Sequence, residues 1–233
     1  MYSFDSRVRY SEVDSNGQMS LQSILDYFQD CSTFHSEDIG LGIAFLAERN
    51  LVWVLSAWQI IVERYPRIGE KIKIATFPYD FKGFTGNRNF YMEDSDGMKI
   101  SYANSIWTLM DIKAGKPARL LHEMIEGYVL EERLEMNYAP RKIPVSDQYI
   151  EKDPVMIREH HLDTNNHVNN GQYLRIAMDY VEKGMQIRQM RAEYKKSALL
   201  GDILIPQVAK EEDKYTISLC GKEKEVYTIV ELS

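Results

Sequence analysis

The chain has 233 residues, 44% hydrophobic and 27% charged, with a net charge of −7. That size and apolar fraction suit one large or two small globular domains and exclude disorder as the main state. The acidic balance excludes a general nucleic-acid binder, which needs a broad basic face. Cys31 and Cys220 are too far apart and too few for a disulfide scaffold.

The longest apolar run, about 51–61, carries Ser56 and Gln59 and is too short to span a bilayer. No basic-then-apolar leader or Arg/Ser-rich segment opens the chain. The expectation is a reduced, cytoplasmic protein with no nucleic-acid or membrane partner.

In chain order, residues 2–12 read as a strand, with Tyr2, Phe4, Val8 and Tyr10 suited to a pleated surface. Asp14-Ser15-Asn16-Gly17 is a turn. Ser20 can cap a helix in which Ile24, Leu25, Tyr27, Phe28, Cys31 and Phe34 recur at helical spacing. Strands follow at about 51–64, 70–79, 87–93 and 98–110, the last two joined by Asp94-Ser95-Asp96-Gly97. Residues 112–150 read as a connection that carries its own helix, about 119–134. The pattern then restarts. A strand at 155–161 leads to a turn at Asp163-Thr164-Asn165-Asn166. A helix capped by Asn169 or Asn170 runs to about Val181, with strands near 186–195, 202–210, 214–220 and 225–231.

The two halves share residues as well as element order. A slide of 149 positions puts Arg9 on Arg158, Val13 on Leu162, Asp14 on Asp163, Ser15 on Thr164, Asn16 on Asn165, Met19 on Val168 and Leu25 on Leu174. A slide of 132 puts Gly69-Glu70 on Gly201-Asp202. Duplication of a strand–helix–strands unit accounts for both. The departure that matters most is His167, which stands where the first copy has Gln18.

Asp163, Asn165 and His167 alternate just before a helix start, and in an extended segment alternate residues share a face. The backbone N–H groups of about 168–171 would lie at the positive end of the helix. Together they supply a base or nucleophile, an amide, an imidazole and an oxyanion site, the set that ester or thioester hydrolysis requires. A metal site built from His160, His161, Asp163 and His167 matches no zinc spacing, and a strand would point His160 and His161 to opposite faces. Cys31 sits on the apolar helix face and reads as core, and Ser197 is at most an assisting hydroxyl.

The segment Leu162-Asp163-Thr164-Asn165-Asn166-His167-Val168-Asn169-Asn170-Gly171-Gln172-Tyr173 closely resembles the active-site segment of acyl-ACP thioesterases, the plant FatA/FatB-like family and its bacterial relatives. Glu193-Tyr194-Lys195-Lys196 resembles a second family motif, and the stretch from Arg9-Tyr10-Ser11-Glu12-Val13-Asp14 to Leu25 resembles the family's first repeat. The resemblance implies an α+β double hotdog, two tandem units each with a long helix wrapped by an antiparallel sheet. It divides the chain into an acyl-pocket unit at 1–135, a linker at 136–152 and a catalytic unit at 153–233. It implies hydrolysis of fatty acyl-ACP to free fatty acid and carrier protein, ending chain elongation. Asp163, Asn165 and His167 would be catalytic, with neither metal nor organic cofactor.

Plant members often carry a Glu-Cys pair after a Glu-Tyr-Arg-Arg stretch; Ser197-Ala198 stand there in this chain. That excludes a cysteine nucleophile or glutamate base at this point. The family's first unit supplies the acyl tunnel, for which Ile24, Phe28, Trp53 and Trp58 are candidates. Arg188, Arg191, Lys195 and Lys196, with Arg141 and Lys142, could dock an acidic carrier. Two tandem units already form a pseudo-dimer, which leaves a homodimer optional. The alternatives are a hotdog acyl-CoA thioesterase, a non-catalytic acyl-binding sensor and, more weakly, a hotdog dehydratase.

Overall fold

The computed structural model describes residues 1–233. Its elements are β1 (Tyr2–Arg7), α1 (Leu21–Asp38), α2 (Ile43–Glu48), β2 (Leu51–Val62), β3 (Lys71–Lys82), β4 (Thr85–Asp94), β5 (Lys99–Asp111), β6 (Lys116–Pro117) and α3 (His122–Gly127). They continue as β7 (Ile150–Glu151), β8 (Val155–Met156), α4 (Asn170–Met178), β9 (Gln189–Tyr194), β10 (Ile203–Glu211), β11 (Lys214–Cys220) and β12 (Val226–Leu232). The chain divides into two compact units, Met1–Ser56 with Ile60–Tyr138, and Ala57–Gln59 with Ala139–Ser233.

In the first unit the strand order is β1-β3-β4-β5-β2, and β1/β3, β3/β4 and β4/β5 pair antiparallel. α1 packs against β3 and β1. Its start is fixed as expected: the Ser20 hydroxyl accepts the Ser23 N–H at 3.1 Å, satisfying one of the free donors of the first turn. Ile24, Leu25, Phe28 and Cys31 are fully buried beneath it. Its end is a left-handed Gly40 (φ +74), with the Leu41 N–H returning to the Ser36 carbonyl at 2.8 Å, a Schellman closure.

The expected helix at about 119–134 is only α3, six residues long. Tertiary anchors override the helical composition. Met124 and Tyr128 are buried with Leu41, Leu46, Leu51 and Leu109. The Tyr128 hydroxyl lies 2.7 Å from the Ser36 hydroxyl. Further on, the Leu134 N–H and the Tyr138 hydroxyl both donate to Asn89 Oδ1, at 3.0 and 2.9 Å. The chain between has no regular secondary structure.

In the second unit the order is β9-β12-β11-β10-β7, antiparallel at β9/β12, β11/β12, β10/β11 and β7/β10. α4 packs against β12 and β11, burying Tyr173, Leu174, Ile176 and Ala177. Each unit is a helix laid on an antiparallel sheet, as the repeat in the sequence requires.

The duplication holds to single hydrogen bonds. Both expected opening strands stop early, at Arg7 and Met156, and both continue into a 3₁₀ turn, Tyr10–Glu12 and Glu159–His161. In the first copy the Glu12 carboxylate accepts the Arg9 N–H at 2.8 Å; in the second, His161 Nδ1 accepts the Arg158 N–H at 3.0 Å. Isolated bridges then join Val13 to Met19 and Leu162 to Val168. Ser20 N–H reaches Glu12 C=O and Asn169 N–H reaches His161 C=O, each at 2.9 Å. Gly69 and Gly201 are both left-handed, at φ +79 and +84.

Candidate active site

The segment 163–167 is a closed turn rather than the extended segment expected. Asp163 Oδ1 accepts the backbone N–H groups of Asn165 at 2.8 Å and His167 at 3.2 Å. The Asp163 N–H returns to the His167 carbonyl at 2.8 Å. Asn166 is left-handed at φ +58, a region that Asn enters more readily than most residues. The backbones of Asp163, Asn165 and His167 are thus gathered around one carboxylate oxygen. Asn165 and His167 are exposed and Asp163 is half-buried.

Asp14 makes the same turn in the first copy. Its Oδ1 accepts the N–H groups of Asn16 at 2.8 Å and Gln18 at 3.0 Å, with Gly17 left-handed at φ +71 where Asn166 stands in the second. Two of the three expected site residues therefore have twins that do the same structural work. Only His167 has no chemical counterpart.

The helix start offers less than expected. The Val168 N–H is bonded to the Ala198 carbonyl at 3.0 Å and the Asn169 N–H to the His161 carbonyl at 2.9 Å. The Gly171 N–H is capped by Asn169 Oδ1 at 2.9 Å. Of the four amides at 168–171, that of Asn170 makes no such bond.

His160 and His161 do not diverge on a strand. They sit in the 3₁₀ turn with ring centroids 4.2 Å apart, and no group of three metal-ligating side chains forms there. Burial, with His160, Arg158 and Arg175 nearby, pushes the His161 imidazole below its usual range. Cys31 is fully buried and burial pushes its thiol up to about 12, which makes it a core residue. Ser197 is exposed.

The basic cluster separates into two groups. Arg191 turns inward: it pairs with Glu231 at 2.7 Å and donates to the carbonyls of Pro140 and Lys142 at 2.6 and 3.2 Å. It is a structural tie, not the docking residue the sequence suggested. Lys196 pairs with Glu225 at 3.2 Å and lies over the Tyr227 ring. Arg141, Lys142, Arg188 and Lys195 are exposed. Among the tunnel candidates Ile24, Phe28 and Trp58 are buried, whereas Trp53 is half-buried and stacked on Phe81 with centroids 6.5 Å apart.

Tyr173 is not among the site residues the sequence suggested. Its hydroxyl accepts the Ala198 N–H at 2.8 Å, tying the helix to the chain that holds Val168. The signal was present in the sequence: the first copy has Ile24 at that position.

Two tandem helix-on-sheet units with matching turns define a double hotdog protein. The family model described as acyl-ACP thioesterase N-terminal domain matches residues 1–128, and that described as acyl-ACP thioesterase C-terminal domain matches residues 146–229. The chain belongs to the acyl-ACP thioesterase family.

Similar proteins include a chloroplastic palmitoyl-acyl carrier protein thioesterase of Arabidopsis thaliana, 24% identical over 81% of this chain and 50% of that protein. A chloroplastic acyl-[acyl-carrier-protein] hydrolase of Cuphea viscosissima is 25% identical over 72% of this chain and 44% of that protein. The chain thus spans about half the length of these curated relatives. Among solved structures, an acyl-ACP thioesterase from Bacteroides thetaiotaomicron superposes with a TM-score of 0.90 at 26% identity, covering 99% of this chain and 96% of that one. A 12:0-ACP thioesterase from Umbellularia californica shares the fold, with a TM-score of 0.88 at 17% identity over 100% and 96% of the two chains. No helix is long and apolar enough to cross a membrane.

Proposed function

We propose that the protein hydrolyses the thioester between a fatty acyl chain and acyl carrier protein, releasing the free acid and ending chain elongation. The observation that carries this reading is His167, a titratable imidazole exposed on a turn whose twin has the same backbone and only Gln18. Family membership supports the substrate class.

In this reading His167 takes a proton from water as the water oxygen bonds to the thioester carbon. The carbonyl electrons move to oxygen, where the Asn170 N–H and the Asn165 side-chain amide stabilise the charge. The C–S bond then breaks, and His167 returns the proton to the leaving thiolate. Asp163 holds the turn through Oδ1. The first unit takes the acyl chain. Arg141, Lys142, Arg188 and Lys195 meet the acidic carrier. Both cysteines are free and buried, which supports a cytoplasmic setting.

The test is fatty acid release from acyl-carrier-protein and acyl-CoA substrates of graded chain length. Release from the carrier series at higher kcat/KM than from the CoA series is expected. Preference for CoA would make the protein an acyl-CoA thioesterase, and binding without release would make it a sensor.

A further inference from the structure

The two copies differ at a second, linked set of positions behind the turn. The second copy has Tyr173, Tyr194 and Ala198 where the first has Ile24, Val62 and Pro66. The backbone contact is kept in both: Val168 N–H to Ala198 C=O at 3.0 Å, and Met19 N–H to Pro66 C=O at 2.8 Å. What changes is the other side of that residue. A proline has no N–H to satisfy, and an isoleucine beneath it has nothing to offer one. Ala198 has the N–H, and Tyr173, 2% exposed, supplies the oxygen at 2.8 Å. Beside it the Tyr194 hydroxyl donates to the Asn170 carbonyl at 3.2 Å, and the two rings meet edge to face at 5.9 Å. Two hydroxyls thus hold backbone on either side of the helix start, only in the copy that carries His167.

We propose that Tyr173 and Tyr194 are positioning residues for His167: they lock Ala198 and Asn170, and through the Val168–Ala198 bond they fix the end of the turn from which the imidazole projects. This rests on the hydrolase reading above. The frame is continuous. Tyr173 holds Ala198, Ala198 holds Val168, and His167, next to Val168, is held by Asp163 through both its N–H and its carbonyl. Burial, with Tyr227, Asp202 and Asp163 adding to it, pushes the Tyr173 phenol up to about 12. It therefore stays a neutral hydroxyl and serves as a strut, not a base. Displacing a reacting group by a fraction of an ångström to an ångström costs up to about 10²-fold in rate, so such a strut has a measurable kinetic effect.

The test uses Tyr173→Phe, Tyr194→Phe and Ala198→Pro, the last giving the site the first copy's residue. Each is assayed for kcat and KM on a short soluble acyl thioester, for thermal midpoint and for amide hydrogen exchange at Val168. Tyr173→Phe should lower kcat about 10-fold with KM within about twofold and the midpoint little changed, because positioning acts on the reacting geometry. Exchange at Val168 should quicken. Ala198→Pro in the Tyr173→Phe background should add little, since both changes remove the same bond. Wild-type kcat in Tyr173→Phe, or a loss of kcat that only tracks a fallen midpoint, overturns the proposal. Should the unmodified protein release no acid at all, the hydrolase reading fails by itself. The strut is then judged on the His167 ring resonance, which must shift or broaden in Tyr173→Phe; an unmoved resonance overturns it.

Discussion

The turn at Asp14 and the turn at Asp163 are one backbone used twice. Each aspartate gathers two N–H groups on Oδ1, each turn contains one left-handed residue, and each leads into a side-chain-capped helix. A carboxylate or amide shared by both copies is explained by the turn itself. Among the residues not shared are His167 with Gln18, and Tyr173, Tyr194 and Ala198 with Ile24, Val62 and Pro66. The comparison therefore separates what shapes the loop from what distinguishes one copy from the other. A single-site reading, which sees only Asp-x-Asn-x-His, cannot make that separation.

After His167 itself, the largest effect expected from pressing on this comparison is at Asp163. Asp163→Asn keeps an acceptor for both backbone N–H groups but removes the charge, and turnover of an acyl thioester should fall about 10²-fold. Asp14→Asn should leave turnover within about twofold. Equal losses in the two variants, measured as kcat at matched thermal midpoints, would show that the turns are coupled rather than divided in role.

The next effect concerns pH. The first unit buries His35, where burial and then Arg88, whose Nη1 lies 3.0 Å from His35 Nδ1, push the imidazole down to about 4 from its usual 6.5. The folded state thus resists protonation that the unfolded chain accepts. Stability is complete above about pH 6.5 and declines as the pH falls toward 4, by at most roughly 3 kcal/mol. His35→Gln, which can still accept from Arg88, should flatten that limb in urea titrations. A slope unchanged by His35→Gln would assign it to other groups.

A smaller effect separates the left-handed positions. Gly17→Ala, at φ +71, should cost about 1 kcal/mol or more, seen as a lowered urea midpoint with turnover unchanged. Asn166→Gly, at φ +58, should be neutral or stabilising by a few tenths of a kcal/mol. The smallest expected effect is at the docking face. Reversing charge at Lys195 together with Arg188 should lower kcat/KM for carrier-linked substrate several-fold at low salt. It should leave small thioesters untouched, because exposed charges act on association and are screened within about 8–10 Å. Equal losses on both substrates would mean the pair supports the fold.

Much of this was legible in the sequence because it is local. The Ser20 and Asn169 caps, the hairpin at Asp94-Ser95-Asp96-Gly97 and the repeat at 149 positions are all set by neighbours within a few residues or by direct self-comparison. The misreadings share one physical cause, a partner distant in the chain. Arg191 looked like an exposed cation until Glu231 and the Pro140 carbonyl were seen to hold it. Residues 119–134 had helical composition, but Ser36 and Asn89 draw Tyr128 and Leu134 out of it. The amides of Val168 and Asn169 looked free because their acceptors, Ala198 and His161, belong to other segments. Asp163-Thr164-Asn165-Asn166, by contrast, was legible as a turn, and the Asp163 carboxylate closes it.

The measurement that tests the central claim most directly is fatty acid release from acyl carrier protein by the unmodified chain and by His167→Gln, which gives the second turn the first turn's side chain. The backbone bonds at Asp163 do not depend on that side chain, so circular dichroism and thermal midpoint should be unchanged. Release should fall by about 10²-fold or more, as removal of the acid–base group requires. Release that persists near the unmodified rate in a folded His167→Gln protein would contradict the account, because the one chemical difference between the two turns would then carry no chemistry.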